Sequence, residues 1–118
     1  MFEDVEFDRY TIGLLVLRPD APDLDDDAAD ALQDAHLAHL AELHDAGCLL
    51  AAGPLRDERY RGLTIFNVEP DRARELMDQD PTVKAGRLTF EVFPWMLPAG
   101  AMSFSPSRFP RSAAEADS

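Results

Sequence analysis

A histidine in the middle of one apolar helical stripe and an aspartate on the inward side of another are the residues of this sequence best placed to do chemistry. At roughly 100° per residue, Ala29, Leu32, Leu40 and Leu43 cluster around His36, while Asp30, Asp34, Ala38, Ala41, Glu42 and Asp45 fall on the opposite side. An imidazole on a buried stripe is costly unless its ring nitrogens find partners. His36 therefore reads either as a satisfied core histidine or as part of the wall of a water-filled pocket. Asp80 follows Ala73, Leu76 and Met77 at spacings that put it on their inward face. It also stands at a helix C-terminus, where the macrodipole disfavours negative charge. A turn-forming Asp before Pro81 is the plain explanation. A buried acid, however, needs a cation or an imidazole proton, and His36 can supply one. As a catalytic pair, Asp80 would fix the tautomer of His36 and stabilise its imidazolium, while His36 moves a proton on or off a small polar or aromatic substrate.

Other chemistries lack candidates. His36 and His39 are three residues apart, and Leu40 stands where a zinc-protease helix would need its second histidine. Cys48 is the only cysteine, so no internal disulfide and no thiolate set can form. The serines occur only near the C-terminus, and Cys48 shows no sign of activation, which leaves no nucleophile. The expectation is a site with no metal and no cofactor. Gly53 and Pro54 are expected to shape its wall by close backbone approach, with Tyr10 and Trp95 as apolar substrate-binding lining.

The elements that must position these residues follow from periodicity. Tyr10 to Leu17 reads as a strand apolar on both faces. Asp25, Asp26 and Asp27 offer an N-cap and first-turn acids for a helix running to about Ala46, with Gly47 beyond its end. Leu49 to Ala52 and Gly62 to Val68 read as two strands joined by the polar connection Arg56 to Arg59. Pro70 opens a second helix, Asp71 to about Gln79, and Leu88 to Phe93 is the last strand. The order βαββαβ predicts an α+β, ferredoxin-like sandwich with helices on one sheet face. Because the outer face is also apolar, two sheets are expected to pack together in a homodimeric α/β barrel. Residues 1–97 form the expected domain and 98–118 a C-terminal tail. Met102, Phe104 and Phe109 of that tail could cover the neighbouring subunit, and residues 111–118 are expected to be disordered.

Two stretches carry a family resemblance. The run His36-Leu-Ala-His-Leu-Ala-Glu-Leu43, then Gly47, then Leu49-Leu-Ala-Ala-Gly-Pro54, is similar to one signature of the YCII-related family. Asp80-Pro-Thr-Val-Lys-Ala-Gly86 resembles the other, and the likeness covers about residues 8 to 95. It implies a ferredoxin-like fold, dimeric α/β-barrel assembly, and a pocket whose conserved His and Asp fall on His36 and Asp80. The family type with an assigned reaction is a dehydrochlorinase acting on a chlorinated hydroxyquinol, so the resemblance implies a cofactor-independent lyase or isomerase acting on a small molecule. A non-catalytic dimer that binds a small molecule or assists a partner is the alternative. Thr82 stands where members often carry an aromatic, and the acidic segment before the first helix and the Pro-rich tail lie outside the family pattern.

With 118 residues, 46% of them hydrophobic, the chain suits one core. Its formal charge of −12, from 23 acidic against 11 basic residues, repels phosphate backbones and anionic headgroups, so neither nucleic acid nor membrane is an expected partner. The start Met1-Phe2-Glu3-Asp4 is acidic where a signal peptide would be basic, and no apolar run approaches the ~20 residues of a membrane span. A cytoplasmic location is expected. Lys84 is the only lysine beside ten arginines. Two origins of this imbalance stay open, a cytoplasm of high ionic strength and a GC-rich genome. Under the first, the unfolding midpoint rises between about 0.1 M and about 3 M KCl as surface repulsion is screened; a flat or falling curve excludes it.

Overall fold

A computed structural model describes residues 5–116. The element order is β1 (Phe7–Leu17), α1 (Asp26–Asp45), β2 (Leu49–Pro54), β3 (Tyr60–Phe66), α2 (Pro70–Asp78), α3 (Pro81–Lys84), β4 (Leu88–Pro98) and α4 (Ala113–Ala116). The expected βαββαβ order is present, with two short helical segments added. One sheet of order β2-β3-β1-β4, with every neighbouring pair antiparallel, is the α+β ferredoxin-like arrangement.

Local chemistry sets the helix ends. Asp25 caps α1 by accepting from the Ala28 amide at 2.8 Å, and Asp26 and Asp27 occupy the first turn, where the helix dipole favours acids. Gly47 lies just past the other end at φ 80°, in the left-handed region that glycine reaches without a Cβ penalty. Pro81 does more than stop α2. Its fixed φ suits the first turn of a new helix, so Asp80 is the N-cap of α3 and not the C-terminal acid of α2 that its spacing suggested. The strand expected to end at Phe93 continues through Pro94 to Pro98, pairing with β1 from Leu17↔Leu88 to Phe7↔Pro98. Because β4 is an edge strand, its prolines need no ladder bond on the outer side.

The core lies between the helices and one sheet face and comprises Leu15, Leu43, Leu49, Phe66, Ala73, Leu76, Met77 and Leu88. Gly13 lets α2 approach β1. A Cβ at this position would stand 2.5 Å from Thr64 Oγ1 and 2.7 Å from Met77 Sδ. Along β1, buried Thr11, Gly13 and Leu15 face the helices; Tyr10, Ile12 and Leu14 consequently face the other way, with Leu63, Ile65, Phe93 and Trp95 opposite them.

The helical wheel needs two corrections in α1. Ala29 is exposed, as are nearly all residues of the first turns, because this end of the helix runs past the packed core. Ala41, expected on the solvent side, is 1% exposed. The C-terminal tail runs along the same stripe: the Ala113 amide donates to Asp34 Oδ1 at 2.9 Å and Arg111 pairs with Asp45, one on each side of Ala41 in sequence. Phe109 stacks on the His44 ring with centroids 4.0 Å apart and packs against the core. Phe104 meets Tyr10 edge-on at 5.7 Å. Both aromatics pack on their own chain. Residues 111–116 of the segment expected to be disordered lie against α1 with a helical turn at Ala113–Ala116, beside Phe109 as an apolar anchor; residues 117 and 118 lie outside the described residues. Truncation after Pro106 is predicted to remove roughly 2 kcal/mol through loss of the Phe109 burial and to lower the calorimetric Tm by several degrees. An unchanged Tm contradicts the docking.

Candidate functional site

His36 projects from the middle of α1 towards α3, and only 9% of the residue is exposed. Its Nδ1 lies 2.7 Å from Asp80 Oδ2, with side-chain exposures of 11% and 4%. The other carboxylate oxygen, Asp80 Oδ1, accepts from the Thr82 amide at 2.8 Å and from Thr82 Oγ1 at 2.7 Å. Both oxygens of a buried acid are therefore satisfied by residues of α1 and α3.

Burial alone would push the Asp80 carboxyl up. The hydrogen bond and charge of His36, together with the two Thr82 bonds, outweigh it and hold the carboxyl below its ordinary 3.8. An ionised carboxylate can only accept, so Nδ1 carries the ring proton. In the neutral ring that tautomer leaves Nε2 with a free lone pair; Nε2 has no partner among the described residues, and His36 lines a cleft. His39 and His44 are spent elsewhere. His39 Nε2 meets the Leu76 carbonyl at 3.0 Å, tying α1 to α2, and His44 Nδ1 meets the Leu49 carbonyl at 2.8 Å.

The cleft above Nε2 has a volume of about 800 Å³, within the range of small-molecule sites. Apolar Leu15, Leu37, Leu40 and Leu88 line it beside Thr82, and Phe109, Pro110, Ala113 and Ala116 of the tail form one wall. Among the described residues, no three His, Cys, Asp or Glu side chains come together in a way that could hold a metal ion. No described helix is long and apolar enough to cross a membrane.

His36, Asp80, Gly53 and Pro54 are thus brought to one region, with two corrections elsewhere. Gly53 and Pro54 line the cleft, and nothing lies within 4 Å of where a Gly53 Cβ would stand. Tyr10 and Trp95 line a different cleft, of about 610 Å³, with Asn67, Glu69 and Pro94. Both fall on the helix-free sheet face because their strand positions are one residue out of phase with the buried set. Thr82 and the tail wall went unnoticed as site residues. The only signals for them were the departure of position 82 from the family pattern and the apolar Phe109.

The YCII-related domain pattern matches residues 13–96. No curated protein matches by sequence. Among solved structures, the 5-chloro-2-hydroxyhydroquinone dehydrochlorinase of Burkholderia phenoliruptrix AC1100, in complex with 2,5-dihydroxybenzoquinone, is similar with a TM-score of 0.52 and 22% identity, covering 73% of this chain and 92% of that one. At that identity the likeness concerns the fold.

Because the folded Asp80 carboxyl sits below 3.8, its stabilisation is full above the unfolded value and lost as pH falls through the folded one. Asp80→Ala is predicted to destabilise the protein at pH 7 by roughly 3–5 kcal/mol, the range for breaking a buried pair. In urea melts, the gap between Asp80→Asn and the parent protein should shrink below pH 3.8. A gap that does not change with pH would show that the charge of Asp80 is not what stabilises.

Proposed function

This chain belongs to the YCII-related family, and on that premise we propose that it is a cofactor-independent acid–base enzyme acting on a small molecule. The observation that carries the reading is the His36–Asp80 hydrogen bond of 2.7 Å beneath an open cleft of about 800 Å³. A histidine kept only for core structure would have its second nitrogen satisfied by protein and no room beside it.

In this reading Nε2 takes a proton from a substrate carbon or hydroxyl. Asp80 holds the ring in place and stabilises the imidazolium that forms. In an elimination, the C–H electron pair becomes the new double bond as the leaving group departs with its own pair. The imidazolium then returns its proton to solvent, which restores the base. Likeness of fold to a dehydrochlorinase supports elimination over the alternatives open to such a pair. The expected assay is halide release from 5-chloro-2-hydroxyhydroquinone together with solvent-deuterium exchange into related hydroxyquinols. His36→Gln should lower the rate about 10²- to 10⁴-fold, as removal of a general base does, with Asp80→Asn between it and the parent. Parent and His36→Gln rates that are equal leave only a binding module.

The same reading includes a homodimer. Ile12, Leu14, Leu63 and Ile65 occupy a sheet face without helices, and Phe93 beside them is 46% exposed. Soluble monomers rarely keep such a contiguous apolar surface bare. Light scattering should give twice the chain mass, and Phe93→Glu should shift the balance to monomer. A monodisperse parent monomer rejects the dimer.

A further inference from the structure

Besides His36 and Asp80, the cleft has charged side chains that the acid–base reading does not use. Arg56, Arg61 and Arg87 all line it, in a chain of formal charge −12. Elsewhere five arginines pair with acids, Arg18 with Asp20, Arg72 with Glu75, Arg74 with Asp71, Arg108 with Glu115 and Arg111 with Asp45, while Arg59 lies over the Tyr60 ring and Arg9 lines the other cleft. Among the described residues, none of the three cleft arginines pairs with an acid, although Asp57 and Glu58 stand on the same rim. Asp57 is occupied by the Arg59 and Tyr60 amides at 2.9 and 2.8 Å. Arg61 reaches only the Glu58 carbonyl, at 3.3 Å.

Arg87 is the most constrained of the three. Gly86, at φ 75°, turns the chain back from α3. The Arg87 amide then donates to the Thr82 carbonyl at 3.1 Å, and its own carbonyl accepts from the Arg18 amide at 3.0 Å. Thr82 is the residue whose amide and hydroxyl hold Asp80. The backbone bearing this guanidinium is therefore fixed on the same turn as the carboxylate that orients His36. Arg87 is half-buried, whereas Arg56 and Arg61 are exposed. A partly desolvated guanidinium that lines a cleft and has no acid partner among the described residues is the feature that recognises an anion, through planar, bidentate donors.

We propose that Arg87, aided by Arg61, is the specificity-determining residue of the cleft and that its ligand is a small organic anion, a carboxylate or phenolate. The anionic group lies on the guanidinium and the proton to be moved faces His36 Nε2. This assignment rests on the acid–base reading of the same cleft and adds the substrate class to it. The acidic surface excludes polyanions at long range, since self-repulsion acts on their whole charge, whereas a small monoanion meets the local guanidinium within a Debye length of roughly 8 Å.

The test uses the full chain with benzoate and its neutral isostere benzamide as probes, followed by the His36 ring signals in NMR and by thermal shift. Benzoate is expected to move the His36 signals and raise the Tm, with an affinity about 10- to 100-fold above that of benzamide, the range for a charge-assisted bond. Arg87→Gln should abolish that preference and leave benzamide unaffected, Arg87→Lys should restore part of it, and Arg56→Gln should change little. Variant Tm values without ligand separate a folding defect from loss of the anion site. Equal affinity for the two probes, absence of any His36 response to benzoate, or an unchanged preference in a folded Arg87→Gln overturns the proposal. Anion preference that depends on Arg87 in a protein without exchange activity retains this site and rejects only the acid–base reading; activity without anion preference does the reverse.

Discussion

A carboxylate buried beneath α1 is the constraint around which the rest is arranged. Removing an ionised acid from water costs far more than one hydrogen bond returns, so Asp80 at 3% exposure requires several donors at once. Three meet it: His36 Nδ1 from α1, and the amide and hydroxyl of Thr82 from α3. A four-residue helix is not stable by itself. α3 persists because its cap is the acid that α1 also needs. Helices α1 and α3 are thus joined by a polar interaction set at the edge of an apolar core, and the imidazole it orients lines the cleft.

The sheet has two different faces, and the tail touches both. On one side Leu15, Phe66 and Leu49 meet α1 and α2 in a close-packed core. On the other, Phe104 covers Tyr10, while the remaining apolar side chains have no helix over them. Beyond Phe104 the chain crosses to α1, where Phe109 stacks on His44 and Pro110, Ala113 and Ala116 wall the cleft. Both the clefts and the open face lie where these layers stop. The cleft beside His36 and the open sheet face are therefore different surfaces of one small domain.

Charge divides the molecule in a similar way. An excess of carboxylates covers the exterior, yet three arginines without an acid partner among the described residues line the cleft. Helix-surface pairs such as Arg72 with Glu75 are exposed and contribute little. A guanidinium half-withdrawn from solvent beside a buried acid–base pair acts over short distances, where screening is weak.

Much of this was legible in the sequence because it is periodic or local. The alternation of β1, the caps Asp25 and Gly47, and the stripe centred on His36 depend on neighbours a few residues away, and they gave the element order and fold class. The spacing of Asp80 from Ala73, Leu76 and Met77 gave its inward face in the same way. Features that depend on distant chain segments could not be read. Pro81 could stop one helix or start another, and only α3 packed beside α1 decided that Asp80 is a cap. Tyr10 and Trp95 were identifiable as strand aromatics, but the phase of β1 against the helices set them on the far face. Ala41 read as a solvent position by the wheel, yet it is buried in the fold. Periodicity thus determined which side chains share a face, because that follows from φ and ψ alone; which surface that face meets was decided by tertiary packing, because it depends on contacts between segments far apart in the chain.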